Sequence, residues 1–342
     1  MSKKATGIAA PVQLHVMPTT VYKADDGVHP EWRFALLAIN RGKDNICLEQ
    51  SEISLNTTKG RKRRVRTGDR IEGIVQGSRD IHPGGVTVLS VIDQAKSKGI
   101  PRSVSAKLRF VDKQGKEIIA RKRVRLETRP TVYLRFPLEG RWRTVSARND
   151  AHCLGMQFGF DFVAPQDADL HQDPPKRELG LEEFVSFGQP VLAPRNGIVV
   201  KCAGDEPDFP PTPGRPPFAA GPPKDRRERY LGNYILMTTE ENDYVLMAHL
   251  KQGSLRVAPG SYVWEGRPIG QVGNSGNTTG PHLHIEMLDG LPDLSKIGTP
   301  QITQSGIPFG FRSILLERED EETALTKGVP QRKDVVGSQT SG

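Results

Sequence analysis

A chain of 342 residues is long enough for two domains and their connections. Its 36% hydrophobic content and mean hydropathy of −0.48 supply cores but exclude a membrane-spanning helix, since no run approaches the ~18 to 20 apolar residues that one requires. Three widely spaced cysteines, Cys47, Cys153 and Cys202, make neither a CxxC metal pair nor a disulfide framework.

The chain opens on a basic stretch, MSKKATGIAAPVQLHV, in which only Ile8 to Ala10 precede Pro11. That is shorter than the ~7 to 15 apolar residues at the heart of a secretory signal, so no signal peptide is expected in this chain. From about residue 12 to 128 short strands are expected: VQLHV, EWRFALLAIN, EISLN, DRIEGIVQG, GVTVLSVI, SVSAKLRFVD and KEIIARKRVRL. DKQGKE, with Gly115, joins the last two as a hairpin loop. Short strands at this spacing predict a β-sandwich over 1–129. This part is strongly basic, with 26 Lys and Arg against 13 Asp and Glu, whereas the remainder has 22 against 27. The excess sits in GRKRRVR (Gly60 to Arg66) and RKRVR (Arg121 to Arg125). In an extended strand Arg121, Arg123 and Arg125 share one side, a stripe that attracts an anionic polymer or serves only as a solvated face. Stacking aromatics are sparse, so sequence-specific reading of nucleic acid is not expected.

A second domain is expected over 130–317. RPTVYLRFPLEGRW leads into it, FGQPVLAPRNGIVVKCAG reads as two strands, and the proline-rich 205–230 reads as a long loop. NYILMTTEENDYVLMAHL reads as a hairpin and GSYVWEGRPIGQVGNSG as further strands. After about Glu317 the charged and then Gly/Ser-rich composition predicts a disordered tail, 318–342.

Chemistry concentrates in this second half. GNSGNTTGPHLHIEM places His282 and His284 on one side of a strand and Leu283 and Ile285 on the other. His152 and Asp161 in NDAHCLGMQFGFDFV and His249 in LMAHL complete a set of histidines and one carboxylate, the side chains that hold zinc while leaving a position open for water. Glu286 has the parity of the histidine pair. Asn149 and Gln157 flank His152 and are candidates to orient it.

These segments, with VLAPRNGIVV, the GNYILM to MAHL hairpin and TGPHLH after a V-G-x-S-G turn, resemble the lysostaphin-type zinc metallopeptidases over roughly 135–315. The resemblance implies a mainly antiparallel β domain behind the sandwich, and one Zn2+ held by His152, Asp161 and His284. It implies proton transfer by His249 and His282. The family's usual H-x-G-x-D spacing puts three residues between the first ligand and its aspartate, whereas eight separate His152 from Asp161; His171, after the aspartate, is the rival ligand. The implied function is metalloendopeptidase action on peptidoglycan cross-links or stem peptides, in the periplasm or cell envelope, with the basic sandwich held to an anionic envelope polymer. An inactive scaffold of the same fold, and a peptidase acting on a non-wall protein, are the rival expectations.

Overall fold

A computed structural model describes residues 11–17, 20–23, 31–67, 70, 75–76, 78–94, 100–146, 158–169, 179–211, 227–296 and 304–339. The molecule is mainly β, and its chain divides into two compact units, Met1–Thr128 and Arg129–Gly342. Among the described residues no helix is long and apolar enough to cross a membrane.

The first unit pairs two sheets. One runs Val12–Met17, Glu31–Asn40, Val86–Gln94 and Val75–Gln76 in spatial order. The other runs Val21–Lys23, Glu117–Thr128, Pro101–Asp112, Ile46–Thr57 and Gly60–Thr67, with Asp80–Ile81 beside Ile46–Thr57. Alternation drives the arrangement: in Glu117–Thr128, Ala120, Val124 and Leu126 are buried while Arg121, Arg123 and Arg125 are exposed. Phe34, Leu36 and Leu89 of one sheet form a single core with Leu48, Val104, Leu108 and Val124 of the other, which makes the unit a sandwich. The expected hairpin forms with Gly115 at φ 79°, and the Asp112 carboxylate accepts the backbone N–H groups of Gln114 and Lys116, each at 2.9 Å. GRKRRVRT, notable in the sequence only for charge, is itself the edge strand Gly60–Thr67; its charged side chains guard that edge.

In the second unit an eleven-stranded sheet dominates the described residues. Its spatial order is Val132–Arg135, Phe309–Arg318, Val335–Ser338, Arg141–Ser146, Phe160–Val163, Leu283–Leu288, Tyr244–Leu250, Asn233–Thr239, Gly197–Ala203 and Tyr262–Val263, with Glu321–Gly328 paired to Phe309–Arg318. Pro190–Leu192 and Pro268–Gln271 form a small sheet of their own.

The disordered tail expected for 318–342 is corrected here: Glu321–Gly328 and Val335–Ser338 are strands. The charged hairpin turns at Glu319 and Asp320, both left-handed at φ 51° and 66°, a two-residue turn made without the usual Asn-Gly pair. Its outer strand exposes most of its side chains and so reads as polar sequence, whereas Val335 and Val336 are buried between Phe309–Arg318 and Arg141–Ser146. Arg318 holds the connection with a two-pronged ion pair to buried Asp334, at 3.0 and 2.7 Å.

Candidate active site

Leu283–Leu288 is buried along its whole length and lies between two partners. On one side Phe160–Val163 sets Asp161 directly opposite His284; on the other, Tyr244–Leu250 sets Ala248 opposite His284. The intervening Leu283 and Ile285 oppose Phe162 and Phe160, which pack with Phe136, Phe309 and Phe311 at ring separations of 5.0 to 5.8 Å. One strand thus carries the polar site on one face and is fixed by an aromatic core on the other, which limits drift of the histidines.

His249 reaches the same face by a different device. It follows Ala248, so strict alternation would send its ring to the opposite side with Met247. Pairing with Asn233–Thr239 shifts here, two residues on the Tyr244–Leu250 strand opposing one, and His249 itself has φ 62°. This bulge re-aims the imidazole. Its ring lies 4.7 Å from that of His282 and 6.0 Å from that of His284, and all three rings are buried.

The GNSGNTTG loop sets the orientation of both outer imidazoles. Nδ1 of His249 donates to the Ser275 carbonyl at 2.9 Å, and Nδ1 of His282 donates to the Gly280 carbonyl at 2.8 Å, with the Thr278 hydroxyl at 3.1 Å. With a proton on Nδ1, each neutral ring keeps its lone pair on Nε2. Ser275 is tied in turn, its Oγ donating to the Leu250 carbonyl at 2.7 Å and accepting the Asn233 N–H at 2.9 Å. Gly276 is required by contact: its φ is 81°, and a β-carbon there would lie 2.3 Å from the backbone nitrogen of Gly232. Asp208, at the start of the proline-rich segment, accepts the N–H groups of Asn274 at 2.7 Å and Gln252 at 2.8 Å, anchoring the loop. Burial pushes the Asp208 carboxyl above its ordinary value, against those two bonds and the nearby Lys251. The sequence reading missed Asp208, Ser275 and Thr278, because their roles rest on long-range backbone contacts; the only local signal was the density of turn residues.

Asp161 Oδ1 lies 2.8 Å from Nδ1 of His284 and 3.8 Å from Nε2 of His282. A carboxylate oxygen and an imidazole nitrogen side by side are a zinc donor pair, and they fit as two of its protein ligands. Gly159 sharpens that fit, because a β-carbon there would lie 2.6 Å from Oε2 of Glu286 and 3.1 Å from Cε1 of His284. Glu286 is fully buried beside it. Among the described residues no group of three His, Cys, Asp or Glu is arranged to hold an ion. His152, expected as the third ligand, lies outside the described residues, as do Asn149, Gln157 and His171. Gly159 stands where H-x-G-x-D has its glycine, and Gln157 stands at the histidine's position.

Residues 176–293 match peptidase family M23, a span that includes His249, His282 and His284 and begins after Asp161. The chain is 24% identical over 230 residues to the peptidoglycan DD-endopeptidase ShyA of Vibrio cholerae serotype O1, covering 66% of this chain and 41% of that protein. It is 35% identical over 98 residues to ShyB, a peptidoglycan DD-endopeptidase of the same organism, covering 28% of this chain and 22% of that protein. The chain therefore spans less than half the length of either relative. Similar solved structures include the catalytic domain of lysostaphin from Staphylococcus simulans, at 19% identity over 47% of this chain and 89% of that one, with a TM-score of 0.28. A zinc containing peptidase from Vibrio cholerae is 14% identical over 86% of this chain and 83% of that one, with a TM-score of 0.31. The H-x-H strand and the AHL strand both lie inside the span 176–293 that matches peptidase family M23, in line with the resemblance of the sequence to the lysostaphin-type peptidases.

Proposed function

We propose that the second unit is a zinc metalloendopeptidase that hydrolyses a peptide bond in peptidoglycan cross-links or stem peptides. One observation carries this reading: three buried imidazoles and the Asp161 carboxylate, drawn from separate strands and a loop, converge on one face of a sheet whose other face is aromatic core. The substrate class rests on the two Vibrio relatives, both peptidoglycan DD-endopeptidases. A peptidoglycan substrate supports action in the periplasm or cell envelope.

In this reading Asp161, His284 and His152 hold one Zn2+, with Asn149 and Gln157 beside His152 and Glu286 behind His284. When bound, the ion supplies Lewis acidity, polarising the scissile carbonyl and bringing the pKa of a water toward neutrality. His249 and His282 handle protons. Each is pinned through Nδ1, so each offers Nε2 as the atom that takes a proton during attack or returns it to the departing amine. A protonated Nε2 also donates to the oxyanion that develops on the carbonyl.

The test combines metal analysis of the purified chain with digestion of peptidoglycan. About one zinc per chain and new amine termini are expected. His249→Ala and His282→Ala are expected to keep the metal and lose roughly 10²- to 10⁴-fold in rate. Asp161→Ala, His284→Ala and His152→Ala are expected to lose the metal. Zinc without new amine termini would establish the scaffold instead, and a chain that binds no zinc would overturn the proposal.

A further inference from the structure

The outer face of the larger sheet in the first unit has an unusual cross-section. Reading across its four longest strands, one rung is Arg123, Ser105, Ser54, Arg63 and the next is Arg125, Ser103, Asn56, Arg61. A third rung is Arg121, Lys107, Glu52, Val65. In the first two rungs long cations stand on Glu117–Thr128 and Gly60–Thr67 with short polar residues between them, whereas the third puts Lys107 and Glu52 in the middle and Val65 at one wall. The result is a trough with arginine walls, roughly 14 Å between the outer strands. Its floor is already ordered: Asn56 Nδ2 donates to Ser103 and Ser105, Arg123 Nε leans in to Ser103 Oγ at 3.1 Å, and Arg61 leans in to Ser54 Oγ at 2.8 Å. A hollow of about 980 Å³, lined in part by Ser103, Arg123 and Arg125, opens at one end.

Arg61, Arg63, Lys107, Arg121, Arg123 and Arg125 are all exposed, and the rungs contain one acid, Glu52, which Arg61 and Arg63 engage at 3.3 and 3.8 Å. A sheet face that needs only solubility mixes signs, because like charges on neighbouring strands repel. Retaining this excess costs stability that a bound polyanion offsets. Guanidinium forks match phosphate oxygens in pairs, and hydroxyl and amide side chains add further phosphate contacts. Arginines two residues apart recur roughly every 7 Å, close to the pitch of successive charges along an extended phosphodiester chain. None of the twelve rung positions is aromatic, so the trough lacks the platform on which bases stack. We infer that this trough binds a linear phosphate-bearing polymer without bases, laid along the Glu117–Thr128 strand.

Long-chain inorganic polyphosphate is the probe, titrated into the full chain at rising salt from about 50 mM. Measurable binding is expected, with log affinity falling linearly against log salt. Arg121→Ser/Arg123→Ser/Arg125→Ser is expected to weaken binding at least about tenfold and to flatten that slope by about 2, from three lost contacts. The triple Lys variant, which keeps the charges and guards against a folding defect, is expected to keep the slope and lose affinity only a few-fold. No binding at low salt overturns the inference, as does a folded Ser variant that binds like the parent. A tenfold preference for oligo(dT) of equal charge would reassign the face to single-stranded nucleic acid. The same preference for anionic lipid vesicles would reassign it to a membrane surface, and either result overturns the proposal.

Discussion

Gly159 contributes no side chain, yet it fixes how closely the Asp161 strand approaches Glu286 and His284. A methyl group there would sit within 2.6 Å of one carboxylate oxygen and 3.1 Å of a ring carbon. Gly159→Ala is therefore expected to cost about 1 to 3 kcal/mol of stability and to weaken zinc binding, checked by urea denaturation and by zinc titration. An alanine variant with unchanged zinc affinity would show that the backbone yields there at no expense to the site. Cys47 gives a second residue-scale expectation. Burial, then the neighbouring Asp80, pushes its thiol up to about 11. Its thiolate fraction near pH 8 is thus on the order of 10⁻³, and alkylation by iodoacetamide, followed peptide by peptide in a mass spectrometer, should be roughly a hundredfold slower than for a free thiol. At this scale the sequence was legible where spacing is local: the parity of His282, His284 and Leu283 follows from a strand's alternation alone. The constraint on Gly159 was not, because its contacts come from a strand more than a hundred residues away.

The hairpin from Asn233 to Leu250 is a case in which the element was readable and its defect was not. Apolar alternation announces both strands, but nothing in LMAHL signals that His249 sits in a bulge with φ 62°. Left-handed backbone costs a residue with a β-carbon about 1 to 2 kcal/mol, and glycine avoids most of it. His249→Gly is accordingly expected to be more stable than His249→Ala by about 1 kcal/mol in denaturant unfolding. Equal stabilities would mean that the backbone relaxes when the imidazole is removed. Charge misled the reading in two further elements. GRKRRVRT is an edge strand that packs little of itself, and the hairpin through Glu319 and Asp320 turns on two acidic residues in left-handed geometry. In both, exposed side chains hide a backbone that is paired along one edge.

At the scale of the molecule, the mainly β class and the basic first part were readable from composition and alternation. The closure of the second sheet was not, because it depends on strands from opposite ends of the unit. Val335–Ser338 lies between Phe309–Arg318 and Arg141–Ser146, so its loss would split the sheet in two. Truncation after Arg318 is expected to bare the strand edges that carry buried Ile314, Leu316 and Trp142 and to give an insoluble or molten product; a soluble truncated chain with a cooperative thermal transition would contradict this. The same placement carries a consequence for how the protein is made. Synthesis is vectorial, and Arg141–Ser146, which pairs directly with the Asp161 strand, leaves the ribosome with one edge bare until residue 338 has followed it. A chain wired in this way stays unfinished for most of its own translation, and the strand that carries Asp161 gains its complete surroundings only as the closing strand slides home.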